Sequence, residues 1–269
     1  MFYIDRGSGP VLLLIHGMFG DHLDWEPILE PLAQRHRVIA VDLPGFGESE
    51  KPQVDYSPEF FTRQLLELLD ELGIGTATVV GNSFGGQIAM SLALACPRRV
   101  ERLVLITTGG LHRYSEPEIA AALQRLSVEN MLQFTPEIHG ALFGRLFFRQ
   151  GTSLQQRYTG KHDAKLVRAD YRAYVAVLHR CMRLSLELCL LDRVRELPMP
   201  VLLIHGEADP VVLVDWVRDA VGLFAAARLV VLVECGHVPQ LELPDRIVEL
   251  IEGTIPSGTC FSGSLPGAI

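Results

Sequence analysis

Short runs of hydrophobic residues alternate along the chain with longer segments in which apolar residues recur every three or four positions. The short runs, each ending in a loop-forming sequence, are VLLLIHG, HRVIAVDLPG, TATVVGNS, ERLVLITT, PVLLIHGEAD and ARLVVLVECGH. Their apolar residues are consecutive rather than alternating, which is typical of strands in a parallel sheet that is covered on both faces.

The segments between these runs have the spacing of amphipathic helices. Helices are predicted over residues 24–34, 57–72, 84–95, 212–223 and 243–253. The clearest is SPEFFTRQLLELLDELG, in which Ser57 is a candidate N-cap, Pro58 takes the first helical position and Gly73 ends the helix. Regular alternation of strands and helices predicts an α/β fold with a doubly wound, mostly parallel sheet.

Residues 110–196 break this alternation, because they contain several helix-like stretches and no clear strand. We therefore predict a helical cap over 110–196, inserted into a core formed by residues 1–109 and 197–253. Residues 254–269 are rich in Gly, Ser and Pro, and we expect them to form a flexible tail without a catalytic role.

Composition excludes several classes of protein. With a net charge of −8 the chain of 269 residues is a poor nucleic-acid binder, since phosphate contacts need clustered Lys and Arg. No apolar run is long enough to cross a bilayer, and the N-terminus lacks the pattern of a signal peptide, so we expect a cytoplasmic protein. The five cysteines show no CxxC spacing, which argues against both a disulfide framework and a structural zinc site.

Charge is unevenly distributed, since residues 110–196 contain 13 Lys and Arg against 9 Asp and Glu. One interpretation is a solvated helical surface. The other is a basic roof that recognises an acidic substrate or an acidic carrier.

Ser83 lies between Gly81 and Gly85, where a predicted strand ends and a predicted helix begins. The tip of such a tight turn has a strained backbone, and the residues two positions away must be small to avoid clashes. The turn raises the hydroxyl above the carboxyl end of the sheet and places it at a helix N-terminus, where free N–H groups favour negative charge. The G-x-S-x-G pattern therefore predicts a nucleophile elbow with Ser83 as the nucleophile.

A serine hydroxyl needs a base to accept its proton and a carboxylate to orient that base. His237 follows the strand-like run ARLVVLVE, in a loop at the same edge of the sheet as Ser83. Asp209 follows the run PVLLIHG and is the best candidate for the acid, with Glu207 as the alternative. The order Ser83, Asp209, His237 is the order found in hydrolases with this elbow.

The other histidines have different expected roles. We expect His205 to be a hydrogen-bonded core residue at the end of its strand and His16 to fix the shape of the glycine-containing loop that follows it. The remaining histidines lack a matching position, and none of the nine shows a metal-ligand spacing such as HExxH. We therefore predict no catalytic metal.

A tetrahedral oxyanion would need two backbone donors. The amide of Phe84, the residue after the nucleophile, is one candidate. The second is the amide of Met18, in the loop HGMFGDHLDW that follows the first of the predicted strands.

Five segments in this order, LLLIHGMFG, VIAVDLPGFGES, VVGNSFGG, LLIHGEADPVV and ECGHVPQLELP, resemble the α/β-hydrolase superfamily. They span residues 12–244 and are most similar to capped serine hydrolases related to esterases and to carbon–carbon bond hydrolases. The resemblance implies that Ser83 is the nucleophile, Asp209 the acid and His237 the base, with no cofactor. A serine nucleophile argues against epoxide hydrolases and haloalkane dehalogenases, which use aspartate.

The sequence GNS-x-GG is similar to that of the carbon–carbon hydrolases of aromatic degradation. Those enzymes usually carry a Gly-Pro-Gly oxyanion loop, whereas this chain has Met18-Phe19-Gly20, and their tryptophan after the histidine is Val238 here. We therefore predict a carboxylesterase that acts on small esters with a short or medium apolar acyl chain. The alternatives are a carbon–carbon bond hydrolase with the same triad and a non-catalytic ligand receptor on the hydrolase scaffold.

Overall fold

A computed structural model describes residues 1–254 of the chain and confirms the predicted α/β class. Seven strands form one sheet in the order β1-β3-β2-β4-β5-β6-β7. Their bounds are β1 Tyr3–Arg6, β2 Val11–Ile15, β3 Arg37–Val41, β4 Ala77–Asn82, β5 Val100–Ile106, β6 Val201–Gly206 and β7 Ala227–Leu232.

Strands β2 to β7 are parallel to their neighbours, and only β1 runs antiparallel, against β3. The six parallel strands correspond to the six predicted runs. The edge strand Tyr3–Arg6 was not among those predictions. It has four half-buried or exposed residues and therefore carries no continuous apolar run.

Eleven α-helices lie in the described residues. They are α1 Glu26–Ala33, α2 Pro58–Glu71, α3 Phe84–Ala95, α4 Glu116–Arg125, α5 Val128–Met131, α6 Pro136–Gly144, α7 Ser153–Leu166, α8 Tyr171–Glu187, α9 Val214–Val221, α10 Pro239–Glu242 and α11 Pro244–Glu252. The start of α2 follows the predicted pattern, because the Ser57 hydroxyl accepts a hydrogen bond from the amide of Phe60 at 3.2 Å.

The sheet is covered on both faces, as consecutive apolar strand residues require. In β2, Leu13 and Ile15 pack in the larger hydrophobic cluster, whereas Leu12 and Leu14 pack in a second cluster on the opposite face. The carboxyl ends of β2 and β4 lie side by side, with Ile15 opposite Gly81.

Helices α4 to α8, here called the cap helices, all lie between β5 and β6. They fall inside the predicted range 110–196, and Tyr174 and Val177 of α8 belong to the same buried cluster as Phe46 of the core. The predicted tail, residues 254–269, lies outside the described residues except for Thr254.

In the part of the chain that the structure describes, no helix combines the length and the apolar character that crossing a membrane requires.

Candidate active site

Ser83 lies between β4 and α3 with φ 53° and ψ −115°, a conformation that a non-glycine residue rarely adopts. A Cβ on Gly81 would come within 2.5 Å of the Gly85 carbonyl oxygen, and a Cβ on Gly85 within 2.1 Å of the Ile15 oxygen. Both glycines are therefore sterically required, which explains the spacing of the motif. Such strain costs about 1–3 kcal/mol and persists because the sheet and α3 fix both sides of the turn.

The Asp209 carboxylate accepts a hydrogen bond from His237. Nδ1 of the imidazole lies 2.7 Å from Asp209 Oδ2. The other carboxylate oxygen accepts the amides of Val211 at 2.8 Å and Val212 at 3.1 Å. These contacts fix the orientation of the carboxylate, and the alternative acid Glu207 is exposed to solvent.

Ser83 and His237 line one cavity of about 260 Å³. Within residues 1–254 no hydrogen bond joins the Ser83 hydroxyl to the imidazole. Such bonds are often long in a hydrolase without ligand and shorten when substrate binds.

The main chain of His237 is fixed from two sides. Its carbonyl accepts a hydrogen bond from the Thr107 hydroxyl at 2.9 Å, and that hydroxyl accepts one from the Asn82 side-chain amide at 2.8 Å. Its own amide donates to the carbonyl of Leu146, after α6, at 2.7 Å. Sequence reasoning missed Thr107, whose φ of 44° marks it as a second strained residue beside the site.

Residues 17–20 form a tight turn beside Ser83, here called the 17–20 turn. The amide of Gly20 donates to the carbonyl of Gly17 at 3.1 Å, and a Cβ on Gly17 would lie 3.2 Å from Ser83 Cβ. Within the described residues the amides of Met18 and Phe84 donate to no protein acceptor, so both remain available to a ligand oxygen.

His16 supports this turn as expected. Its Nε2 accepts the amide of Leu43 at 3.1 Å, so Nδ1 carries the proton and donates to the Gly17 carbonyl at 2.8 Å. Burial lowers the pKa of the imidazole, which keeps it neutral. His205 is likewise a buried structural residue, since its Nε2 lies 2.8 Å from the Val212 carbonyl.

Some of the basic residues in 110–196 form ion pairs with carboxylates of the core. Lys161 contacts Asp21 at 2.9 Å and also pairs with Asp24, while Lys165 lies 2.8 Å from Asp21. Burial alone would raise the pKa of the Asp21 carboxyl, but the two ammonium groups outweigh burial and hold that pKa well below its usual range. These lysines are thus neutralised by core carboxylates instead of forming a roof over an acidic substrate.

The cavity is mainly apolar. Leu142, Phe143 and Leu146 line it from the cap side. Within the described residues none of its lining side chains is a lysine or an arginine. One wall is aromatic, because the rings of His112 and Trp216 stack at 3.9 Å, and sequence reasoning had given His112 no place in the site.

Among residues 1–254 no group of three or more His, Cys, Asp and Glu side chains could hold a metal ion.

Residues 10–244 match the model of the alpha/beta hydrolase fold family, and the chain therefore belongs to that family. The elbow, the Asp209–His237 pair and the cavity between sheet and cap helices lie in the segments that carry this match.

The relatives include a protein named as an esterase and proteins named as hydrolases of a semialdehyde or a dienoate. The chain is 31% identical to 2-hydroxymuconate semialdehyde hydrolase of a Pseudomonas species, covering 92% of this chain and 87% of the relative. It is 30% identical to the pimeloyl-[acyl-carrier protein] methyl ester esterase of Nitrosomonas europaea, covering 91% and 96%. The solved 2-hydroxy-6-oxo-6-phenylhexa-2,4-dienoate hydrolase of a Rhodococcus species superposes with a TM-score of 0.81 at 25% identity, covering 93% and 92%.

Proposed function

We propose that the protein hydrolyses carboxylic esters through an acyl-enzyme on Ser83. The observation that carries this proposal is the strained Ser83 in one cavity with His237, whose Nδ1 is held by Asp209 at 2.7 Å. A hydroxyl, an imidazole and a buried carboxylate in this relation are the parts that nucleophilic acyl transfer needs.

In the first half of the reaction, Ser83 Oγ attacks the acyl carbonyl while His237 Nε2 accepts the hydroxyl proton. Asp209 keeps the proton on Nδ1 and stabilises the imidazolium that forms. Collapse of the tetrahedral adduct breaks the ester bond, and His237 gives its proton to the departing alkoxide. The alcohol leaves and the acyl group remains on Ser83.

In the second half, His237 removes a proton from water, and the resulting hydroxide attacks the acyl-enzyme. The second tetrahedral adduct collapses with cleavage of its bond to Ser83 Oγ and releases the carboxylic acid, while His237 returns the proton to that oxygen. In both halves the amides of Met18 and Phe84 donate to the oxyanion, and a single donor of this kind typically contributes 10²–10³-fold to kcat, roughly.

The cavity lining supports an uncharged, apolar acyl group. Its cap-side residues are aliphatic and aromatic, and within the described residues no Lys or Arg side chain lines it to neutralise a substrate carboxylate. A short or medium acyl chain fits a cavity of about 260 Å³.

A panel of p-nitrophenyl esters tests the proposal, with the wild type and Ser83→Ala compared at each acyl length from acetate to decanoate. We expect wild-type turnover to peak at a short or medium chain and the variant to lose it at every length. Wild-type turnover equal to that of the variant would refute esterase activity.

A carbon–carbon bond hydrolase is the second candidate. It is favoured by the GNS-x-GG sequence and by the similarity to 2-hydroxymuconate semialdehyde hydrolase and to 2-hydroxy-6-oxo-6-phenylhexa-2,4-dienoate hydrolase. It would use the same three residues. A yellow ring-cleavage product separates the two candidates, because rapid bleaching with negligible ester turnover would favour this second function over the first.

A further inference from the structure

The carbonyl oxygen of Phe19, inside the 17–20 turn, is held by two groups from the cap helices. The Lys165 ammonium of α7 donates to it at 2.7 Å, and the Tyr174 hydroxyl of α8 donates to it at 3.1 Å. Both donors come from residues more than 140 positions away along the chain. The contacts therefore exist only when the cap helices are docked on the core.

This turn needs external support because of its backbone. Phe19 has φ 63°, a left-handed conformation at the turn position where glycine is normally preferred. The neighbouring Met18 amide is one of the two proposed oxyanion donors. The Phe19 carbonyl shares a planar peptide unit with the Gly20 amide, and that amide donates to the Gly17 carbonyl at 3.1 Å. Because the Gly17 carbonyl shares a peptide unit with the Met18 amide, the direction of the Phe19 carbonyl also constrains the direction of the Met18 amide.

Lys165 is itself fixed by the segment that follows the turn. Its ammonium bridges the Phe19 carbonyl and Asp21, which also pairs with Lys161 of the same helix. The side chains of these three charged residues are 5–16% exposed, so removal of one partner would leave a charge unpaired in a largely dry environment. The ammonium group is thereby held on the turn.

We infer that Lys165 and Tyr174 are positioning residues that orient the Met18 amide, so that the oxyanion site is complete only while the cap helices are docked. This inference rests on the proposed function. A role limited to the stability of the fold would not predict this effect. The inference predicts that the two residues stabilise the transition state, and therefore affect kcat, without changing substrate binding.

The sharpest test is Tyr174→Phe with Tyr171→Phe as its matched control. Both tyrosines lie on α8 and donate to a main-chain carbonyl, but Tyr171 donates to Met131 among the cap helices, at 2.9 Å. With p-nitrophenyl butyrate we expect Tyr174→Phe to lower kcat about tenfold with KM nearly unchanged, because the Met18 donor is misaligned but still present. Tyr171→Phe should retain kcat within about twofold.

Lys165→Met gives a second test, with Lys51→Met as its control. Lys51 also joins the core to the region of the cap helices, through an ion pair at 2.9 Å with Asp170, the residue before α8, but it does not touch the 17–20 turn. We expect Lys165→Met to lower kcat by about 10²-fold, roughly the effect of a lost oxyanion donor, and Lys51→Met to change it little.

Inhibitor binding identifies the origin of the loss. A boronic acid, which forms a tetrahedral adduct with the serine, should bind Tyr174→Phe about tenfold more weakly, whereas butyrate, the product, should bind as it does to wild type. Equal losses for both inhibitors, or wild-type kcat in Tyr174→Phe, would overturn the inference while leaving the esterase proposal intact. A wild type that neither turns over esters nor binds the boronic acid would contradict the proposed function, and this inference with it.

Discussion

At the scale of single residues, the site depends on backbone conformations that the surrounding contacts maintain. Ser83, Phe19 and Thr107 all have positive φ without being glycine. Each lies in a segment that ends a central strand or follows it. Strain of this kind is typical of sites in which side chains and amides must point at a reacting group.

Asp209→Asn tests the proposed acid, with Glu207→Gln as the matched control. In this variant a neutral amide replaces the negatively charged carboxylate that accepts the hydrogen bond from Nδ1–H of His237. The imidazole therefore loses its preferred tautomer and its stabilisation as a cation. We expect kcat on p-nitrophenyl butyrate to fall by about 10³–10⁴-fold in Asp209→Asn, with Glu207→Gln close to wild type. The reverse outcome would make Glu207 the acid.

At the scale of elements, the local spacing of apolar residues was enough to predict the parallel strands and the site residues that follow them. Ser83, Asp209 and His237 each follow a continuous apolar run, so their place at one edge of a parallel sheet could be inferred. Thr107 could not be found in this way, because its hydrogen bond to His237 joins residues 130 positions apart. The ion pairs of the cap helices with Asp21 could not be predicted from the sequence either, because a count of charges does not show which carboxylate pairs with a given lysine.

Gly236→Ala tests the contact between the loop that carries His237 and the segment after α6. A Cβ at position 236 would lie 2.3 Å from the Leu146 carbonyl oxygen, which accepts the His237 amide. We expect a loss of about 1–3 kcal/mol in the free energy of unfolding and at least about tenfold in kcat, because the base is displaced.

Gly160→Ala is the control for this substitution. Position 160 lies inside α7, and an added Cβ meets nothing within 4 Å. Alanine should therefore stabilise the protein by about 0.5–1 kcal/mol and leave kcat unchanged. Wild-type stability and activity in Gly236→Ala would show that the contact is unimportant.

At the scale of the whole molecule, ion pairs join the cap helices to the core, and one buried histidine is expected to make the stability of the folded protein depend on pH. His162 of α7 stacks on Phe143 with ring centroids 3.9 Å apart. Burial, aided by the ammonium groups of Lys165 and Lys161, lowers the pKa of this imidazole well below its ordinary value of 6.5. At pH values just below 6.5, His162 is therefore neutral in the folded protein, whereas the same imidazole is protonated in the unfolded chain.

The sign of the pH effect follows from this difference. His162 contributes its full stability above about pH 6.5, and that contribution is lost as pH falls, by up to about 1.4 kcal/mol per pH unit. His162→Phe keeps a flat ring against Phe143 but cannot take up a proton. Denaturant unfolding between pH 7 and pH 5 should show a smaller loss of stability in the variant. Equal pH dependence in both proteins would contradict this account.

The proposed mechanism depends most on Ser83 as the nucleophile, and covalent labelling tests that role directly. Wild type and Ser83→Ala are treated with a fluorophosphonate, digested, and the modified peptide is identified by mass spectrometry. We expect a single phosphonate adduct on Ser83 of the wild type and none on the variant. No labelling of the wild type, an adduct on another residue, or equal labelling of Ser83→Ala would contradict the proposed mechanism.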